Sequence, residues 1–166
     1  MADPVYVKGL AELQKFLDQL PPKMEQNVMR GALRAGARDA ILPAAKAGVR
    51  SVSGDLQKSL RVSVRASRGT VRAAVKTDLF YAKFVEYGTR SHWITSRDGK
   101  ALSIGGTFFV RAVEHPGASP RPFLRPALDT QATAAVMAAG EYIRNRLATK
   151  HGLDAASEVQ LEIEEG

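Results

Sequence analysis

The segment His115-Pro-Gly-Ala-Ser-Pro-Arg-Pro-Phe-Leu-Arg-Pro-Ala-Leu-Asp129 decides how this chain is organised. Because each proline fixes its own φ and pushes the preceding residue toward extended geometry, no helix can run through residues 115–122. Pro126 suits a first helical turn, where its missing N–H would have no partner. Almost all of residues 127–150 are helix formers. The segment therefore predicts a stiff extended arm that positions Phe123 and Leu124 and then starts a long helix.

Length and charge predict one basic domain with an acidic end. At 166 residues the chain can bury a core, and we expect a single domain over residues 1–151. Residues 152–166 contain five acidic residues and no Lys or Arg, and we expect this tail to be mobile. Removing those five negative charges from the net charge of +7 leaves +12 on the rest. This suggests an anionic partner, nucleic acid or an acidic protein face; a merely solubilising surface is the alternative.

The composition argues against several classes of protein. The chain has no cysteine, so it has no disulfide, thiol nucleophile or thiolate metal site. It has no apolar run long enough to span a membrane and no signal peptide, so we expect synthesis inside the cell. The glycines at 105 and 106 are not followed by the lysine of a P-loop, and the three histidines lack metal-ligand spacing. We therefore predict no enzyme, no cofactor and no metal. His115 is expected to hydrogen-bond its own loop.

The first fifty residues predict a short strand and two helical segments. Val5–Val7 is β-prone, and leucines recur on one helical face between Gly9 and Leu20. Residues 23–49 form a longer segment that Pro43 should kink or divide. The small residues of this segment favour close packing against a neighbouring helix. Three arginines on one side of it form either a cationic ridge or a solvated face: Arg30, Arg34 and Arg38.

Residues 53–76 predict a turn, a short helix and a β-hairpin. Ser53 or Asp55 is expected to cap a helix that ends near Leu60. Two segments with period-two alternation follow, joined by Arg68-Gly69. One face of the hairpin is apolar and the other is basic. The basic face is a candidate for contact with DNA, or an ordinary wet sheet face; its residues are Arg61, Arg65, Arg72 and Lys76.

Residues 78–121 predict an aromatic helix and an extended segment. The helix should run from an Asp78 N-cap to Tyr87 and end at Gly88. Glu86 lies in its apolar run, which favours a structural or intersubunit ion pair. Residues 91–121 should form an extended hairpin or loop arm with three short strands at 93–94, 101–104 and 107–113, or a loop that orders only on assembly. The fold class is α+β, with a small antiparallel sheet packed against long helices.

Four pieces of the sequence occur together in an order that resembles a known family. They are Val7-Lys-Gly-Leu10, Ser53-Gly-Asp-Leu-Gln-Lys-Ser-Leu60, Tyr81-Ala-Lys-Phe-Val-Glu-Tyr-Gly-Thr89, and His115-Pro-Gly117 leading to Pro122-Phe-Leu-Arg-Pro-Ala127. Over roughly residues 5–148 the chain resembles the tail-component or neck family of long-tailed bacteriophages, the gene-ten-like family of HK-type phages. The resemblance implies a virion protein that forms a ring at the head–tail junction, completes or terminates the tail and joins it to the head.

The resemblance also implies partners. We expect a homo-oligomeric ring, most plausibly a hexamer, which contacts other neck and tail proteins and through whose lumen genomic DNA passes without being read. The predicted subunit-interface residues are Phe84, Glu86, Tyr87, Arg90, Trp93, Pro122, Phe123 and Arg125. The basic hairpin face should meet the lumen or an adjoining ring. A basic, non-specific nucleic-acid-binding protein is the alternative function, although no helix-turn-helix, zinc module or aromatic stacking sheet is recognisable.

Overall fold

The chain divides into two compact units, here called the helical unit (residues 1–78 and 123–166) and the hairpin unit (residues 79–122). A computed structural model gives the arrangement within each unit. It describes residues 6–8, 10–18, 20–50, 54–95, 102–104, 106–109, 112–151 and 162–164. The mixture of long helices and small antiparallel sheets confirms the predicted α+β class.

The core of the helical unit lies between its helices. These are α1 (Leu10–Leu17), α2 (Pro22–Gly36), α3 (Leu42–Gly48) and α6 (Leu124–His151). Leu17 and Val28 pack with Ile143 and Leu147 in one buried cluster. Because apolar burial is the main favourable term in folding, this cluster fixes α6 against α1 and α2. The predicted helices before Pro21 and after Pro122 are confirmed.

The division predicted at Pro43 is confirmed, and it takes the form of a π-helical segment, Ala37–Ile41. Pro43 has no N–H to donate to the carbonyl four residues earlier, so the α-helical ladder cannot continue through it. The N–H of Leu42 instead donates to the carbonyl of Ala37, five residues back. This wider turn lets α3 follow α2 with little loss of backbone hydrogen bonding.

Small residues allow α2 and α6 to approach closely, as the sequence predicted. A Cβ atom built on Gly36 would lie 2.3 Å from the carbonyl oxygen of Ala135. One built on Gly31 would meet the ring of Tyr142 at a similar distance. The two backbones therefore touch at Gly36, and a side chain there has no room.

The predicted β-hairpin is confirmed, with β2 (Arg61–Ser67) antiparallel to β3 (Thr70–Lys76). Arg68 and Gly69 both have positive φ, 48° and 76°, as in the type I′ turns that match strand twist. The hairpin packs against α2. The short helix before it is α4 (Asp55–Ser59), whose N-cap is Gly54 rather than Asp55. The other predicted cap, Ser53, lies outside the described residues.

The hairpin unit begins with a helix shorter than predicted. Helix α5 spans Ala82–Tyr87, with Tyr81 in the N-cap position, so the predicted start at Asp78 is wrong. The carboxylate of Asp78 instead accepts a hydrogen bond from the guanidinium of Arg61, a stronger partner than helix amides because it carries a full charge. The helix ends at Gly88, with φ of 70°, as predicted.

Among the described residues, the rest of the hairpin unit contains four antiparallel strand segments where three strands were predicted. They are β4 (His92–Thr95), β5 (Leu102–Ile104), β6 (Thr107–Phe109) and β7 (Ala112–His115). β4 pairs with β7 and β5 with β6, so residues 107–109 and 112–113 of the predicted strand at 107–113 have different partners. The long hairpin, one of the two predicted alternatives, is what forms. The Asp98-Gly99 turn lies outside the described residues.

The proline-rich arm is extended and is held by its own unit. Thr89 and Ala118 exchange backbone hydrogen bonds of 2.9 and 3.2 Å, and the N–H of Arg121 donates to Val85 at 2.8 Å. Gly117, with φ of 87°, makes this approach possible, because a Cβ there would lie 2.2 Å from the Thr89 carbonyl. The prediction of an extended arm is confirmed.

The acidic tail contributes a strand. β1 (Tyr6–Lys8) pairs antiparallel with β8 (Glu162–Glu164), and Lys8 lies opposite Glu162. Residues 162–164 are therefore a strand, whereas the whole tail was expected to be mobile. Residues 152–161 lie outside the described part. Across the described helices, no stretch is both long and apolar enough to cross a membrane.

Candidate functional site

Helix α5 exposes its aromatic side chains and buries a carboxylate. Phe80, Phe84 and Tyr87 are 77%, 40% and 79% exposed, and their i, i+4, i+7 spacing places them on one side of the helical turn and helix. Ala82 and Glu86 are buried, at 7% and 6% exposure. Water thus covers the apolar side, which is the reverse of an ordinary surface helix. We call Phe80, Phe84 and Tyr87 the aromatic stripe.

The remaining predicted interface residues divide into exposed and buried ones. Trp93 is 64% exposed, and Arg90, Pro122 and Arg125 are exposed as well. Phe123 is 1% exposed, so its ring is part of the core of the helical unit and we correct its assignment to a subunit contact. The physical reason is that Phe123 lies directly before α6 and packs on the end of α3 at Gly48. Glu86 likewise presents no exposed charge.

Register brings the four predicted basic residues of the hairpin to one face. Arg61 lies opposite Lys76, and Arg65 lies opposite Arg72. Like charges directly opposite one another destabilise a sheet, so this arrangement costs stability unless an anion binds. Asp78 neutralises Arg61. Within the described part of the chain, the other three cations have no ion-pair partner, and Arg65 and Arg72 are exposed.

The arginine ridge, with Arg30 and Arg34 in α2 and Arg38 in the π-helical segment that continues it, is exposed but partly neutralised. Arg38 donates to both carboxylate oxygens of Asp39, at 2.6 and 2.8 Å. This hydrogen bond, with the attraction of the guanidinium, holds the pKa of Asp39 below its usual value. Arg30 and Arg34 are exposed on the same helix. The ridge thus offers less free positive charge than the hairpin face does.

Two of the three histidines form a stacked pair. His92 and His115 are cross-strand partners with ring centroids 5.0 Å apart. The Nδ1 atom of His115 accepts a hydrogen bond from the N–H of Gly117 at 3.0 Å, which confirms the predicted bond to its own loop. Within the described ranges, no three His, Asp or Glu side chains are placed to share a metal ion.

A groove in the helical unit was missed by sequence reasoning. It has a volume of about 820 Å³ and lies between β3, α2 and α6. Its lining is almost wholly apolar, with Val71 and Val75 on one side, Leu33 on another and Leu128 and Val136 on the third. Leu128 and Val136 are 52% and 37% exposed. We call this feature the apolar groove. The alternation in β3 and the alanines of α6 are each typical of core, so neither indicates that a gap remains between them.

The chain matches one family of known proteins. Residues 11–88 match the HK97-gp10-like family model, described as "Bacteriophage HK97-gp10, putative tail-component". This confirms the resemblance that the sequence predicted, over the segment that runs from α1 to the end of α5. It supports a structural role in a phage tail, and hence a place in the virion, rather than catalysis. No curated protein and no solved structure matches the chain.

Proposed function

Because residues 11–88 match the HK97-gp10-like tail-component family model, we propose that this chain is a neck protein at the head–tail junction. In this proposal it forms a homo-oligomeric ring, most plausibly a hexamer, that completes or terminates the tail and joins it to the head. Other neck and tail proteins are its neighbours above and below. Genomic DNA passes through the lumen without being read in sequence.

The observation that best supports a ring subunit is the aromatic stripe. A monomeric protein gains free energy by burying large rings, and this chain leaves Phe80 and Tyr87 more than three-quarters exposed while it buries a glutamate. Exposed aromatic clusters of this kind mark sites of protein–protein contact. The proposed subunit interface contains the stripe with Arg90, Trp93, Pro122 and Arg125.

The observation that supports contact with DNA is the like-charge pairing across the hairpin. Phosphate oxygens placed between Arg65 and Arg72 would replace repulsion with two charge-assisted contacts. Such contacts carry no sequence information, as expected for a channel through which a whole genome passes. We propose that this face, with Arg61 and Lys76, lines the lumen or meets an adjoining ring.

Light scattering over a wide concentration range, in low and moderate salt, tests the proposal. We expect one discrete assembly of roughly six subunits, because head-to-tail interfaces that close by rotation give rings of fixed size. Electron microscopy of the same sample should show a ring with a central opening. A chain that stays monomeric at every concentration contradicts self-assembly into a ring.

The alternative function is non-specific binding of nucleic acid by the free chain, and the same basic face favours it. Titration of monomer with duplex DNA separates the two. With Arg61 already paired to Asp78, about three free cations predict a slope of roughly −3 in a plot of log K against log salt. Tight, salt-sensitive binding by a monomer that never forms a ring would favour the alternative.

A further inference from the structure

All six of the large apolar side chains that the structure exposes, within its described residues, lie on two surfaces. Four belong to the hairpin unit: the aromatic stripe and Trp93. The other two, Leu128 and Val136, line the apolar groove of the helical unit. The large exposed apolar side chains are thus found in the hairpin unit and at the apolar groove.

The stripe has the geometry of a helix that docks into a groove. Helices that bind in this way present anchors at i, i+3 or i+4, and i+7, and the stripe has them at 80, 84 and 87. The apolar groove is large enough to receive such anchors, since it has about 820 Å³ between β3, α2 and α6.

We infer that the aromatic stripe of one copy docks into the apolar groove of a second copy, an inference that rests on the ring proposed above. Phe80 and Tyr87 are 77% and 79% exposed, and Leu128 and Val136 at the groove are 52% and 37% exposed. A chain that presents both halves of such a contact can bind a copy of itself head to tail, and each bound copy still offers one free stripe and one free groove. Contacts of this heterologous kind produce rings when the rotation closes.

The available area agrees with a specific interface. At roughly 200 Å² for each aromatic side chain, the exposed fractions of the stripe and Trp93 correspond to about 500 Å² of apolar surface. A standard interface buries about 800 Å² on each partner. The four aromatic side chains therefore account for more than half of the area that one partner buries, before their polar neighbours are added.

Single thiols test the pairing without altering any anchor, because the chain has no cysteine of its own. Lys83→Cys places a thiol beside the stripe, where Lys83 lies 5.0 Å from the Phe84 ring. Asp129→Cys places one next to Leu128 at the groove. Lys58→Cys, an exposed lysine on α4, is the matched control for Lys83. The full chains are mixed pairwise under mild oxidation, and the rate at which disulfide-linked dimers form is measured. Each rate is then divided by the intrinsic reactivity of its thiols, which is measured separately with a small disulfide reagent.

We expect the Lys83→Cys and Asp129→Cys mixture to link at least about tenfold faster than Lys83→Cys with itself or with Lys58→Cys, because docking raises the effective concentration of the two thiols. Adding Leu128→Glu to the Asp129→Cys chain should remove that advantage, with circular dichroism confirming that the chain is folded. Equal rates in all mixtures would overturn the inference. Fastest linking of Lys83→Cys with itself would also overturn it, since the stripes would then meet each other.

The same chains separate this inference from the ring proposal. If wild-type protein forms a ring but the two thiols do not link selectively, the docking mode is wrong and the ring stands. If the thiols link selectively and light scattering detects no closed assembly at any concentration, the docking mode stands and the ring proposal fails.

Discussion

Replacing Gly36 with alanine tests the helix packing that supports both surfaces. An alanine Cβ at this position would lie 2.3 Å from the carbonyl oxygen of Ala135. Non-bonded heavy atoms pack at about 3.5 Å, so α2 and α6 would have to separate locally by roughly 1 Å. That movement loosens the cluster in which Val28 and Ala32 meet Ile143 and Leu147.

Two opposing terms set the size of the effect. Alanine in place of glycine inside a helix stabilises by about 1 kcal/mol. Overpacking a well-packed site costs about 1–3 kcal/mol, and the upper end applies here because the obstacle is backbone, which cannot change rotamer. We therefore expect Gly36→Ala to lower the free energy of unfolding by about 2 kcal/mol, which in a domain of this size lowers Tm by about 4–8 °C.

Urea unfolding followed by far-ultraviolet circular dichroism measures this effect, and two controls isolate its cause. Ala134→Gly, at an exposed position of α6, reports the helix-propensity term alone. Gly31→Ala meets the ring of Tyr142 instead of backbone, so Tyr142→Ala should relieve its clash in a double-mutant cycle. A Gly36→Ala protein more stable than wild type would refute the close contact between α2 and α6.

Three further substitutions test other elements. Arg68→Asn should stabilise the chain by about 0.5 kcal/mol in thermal unfolding. The reason is that Asn-Gly suits a type I′ turn and that asparagine tolerates the φ of 48° better than arginine does. A loss of stability would contradict the turn assignment. Gly117→Ala should release the arm, measured as faster amide exchange at Ala118, because both the positive φ and the 2.2 Å contact with the Thr89 carbonyl exclude a side chain. Arg72→Glu should stabilise the hairpin by up to about 1 kcal/mol, because it places an opposite charge across from Arg65. It should also reduce the slope of log K against log salt for DNA binding by about one. Unchanged DNA binding would mean that the basic face is an ordinary solvated sheet face.

The sequence predicted the structure correctly where local chemistry permits only one backbone conformation. Pro43 removes a donor that an α-helix needs, and the helix is divided there. The alternation on both sides of Arg68-Gly69 fixes the hairpin register, because a slip of one residue would exchange the apolar and basic faces. The extended arm before Phe123 follows from its prolines in the same way.

It failed where tertiary contacts compete with local preference. Asp78 is a good helix N-cap by type, but the charged partner available in Arg61 determines its position. Phe123 follows an exposed arm in sequence and yet lies in the core, because α6 starts directly after it. The apolar groove has no sequence signature at all, since it is a space between three elements that each look like ordinary core.

For helix α5 the sequence predicted the apolar composition but not which side of the helix is exposed. Five aromatic or β-branched residues in residues 80–87 identify an apolar segment, but composition does not say which side faces water. Burial of one large ring contributes roughly 2 kcal/mol. The observed orientation leaves the aromatic side chains of the stripe exposed and forgoes that contribution in the single chain. In the ring proposed above, an interface that covers these side chains would recover it.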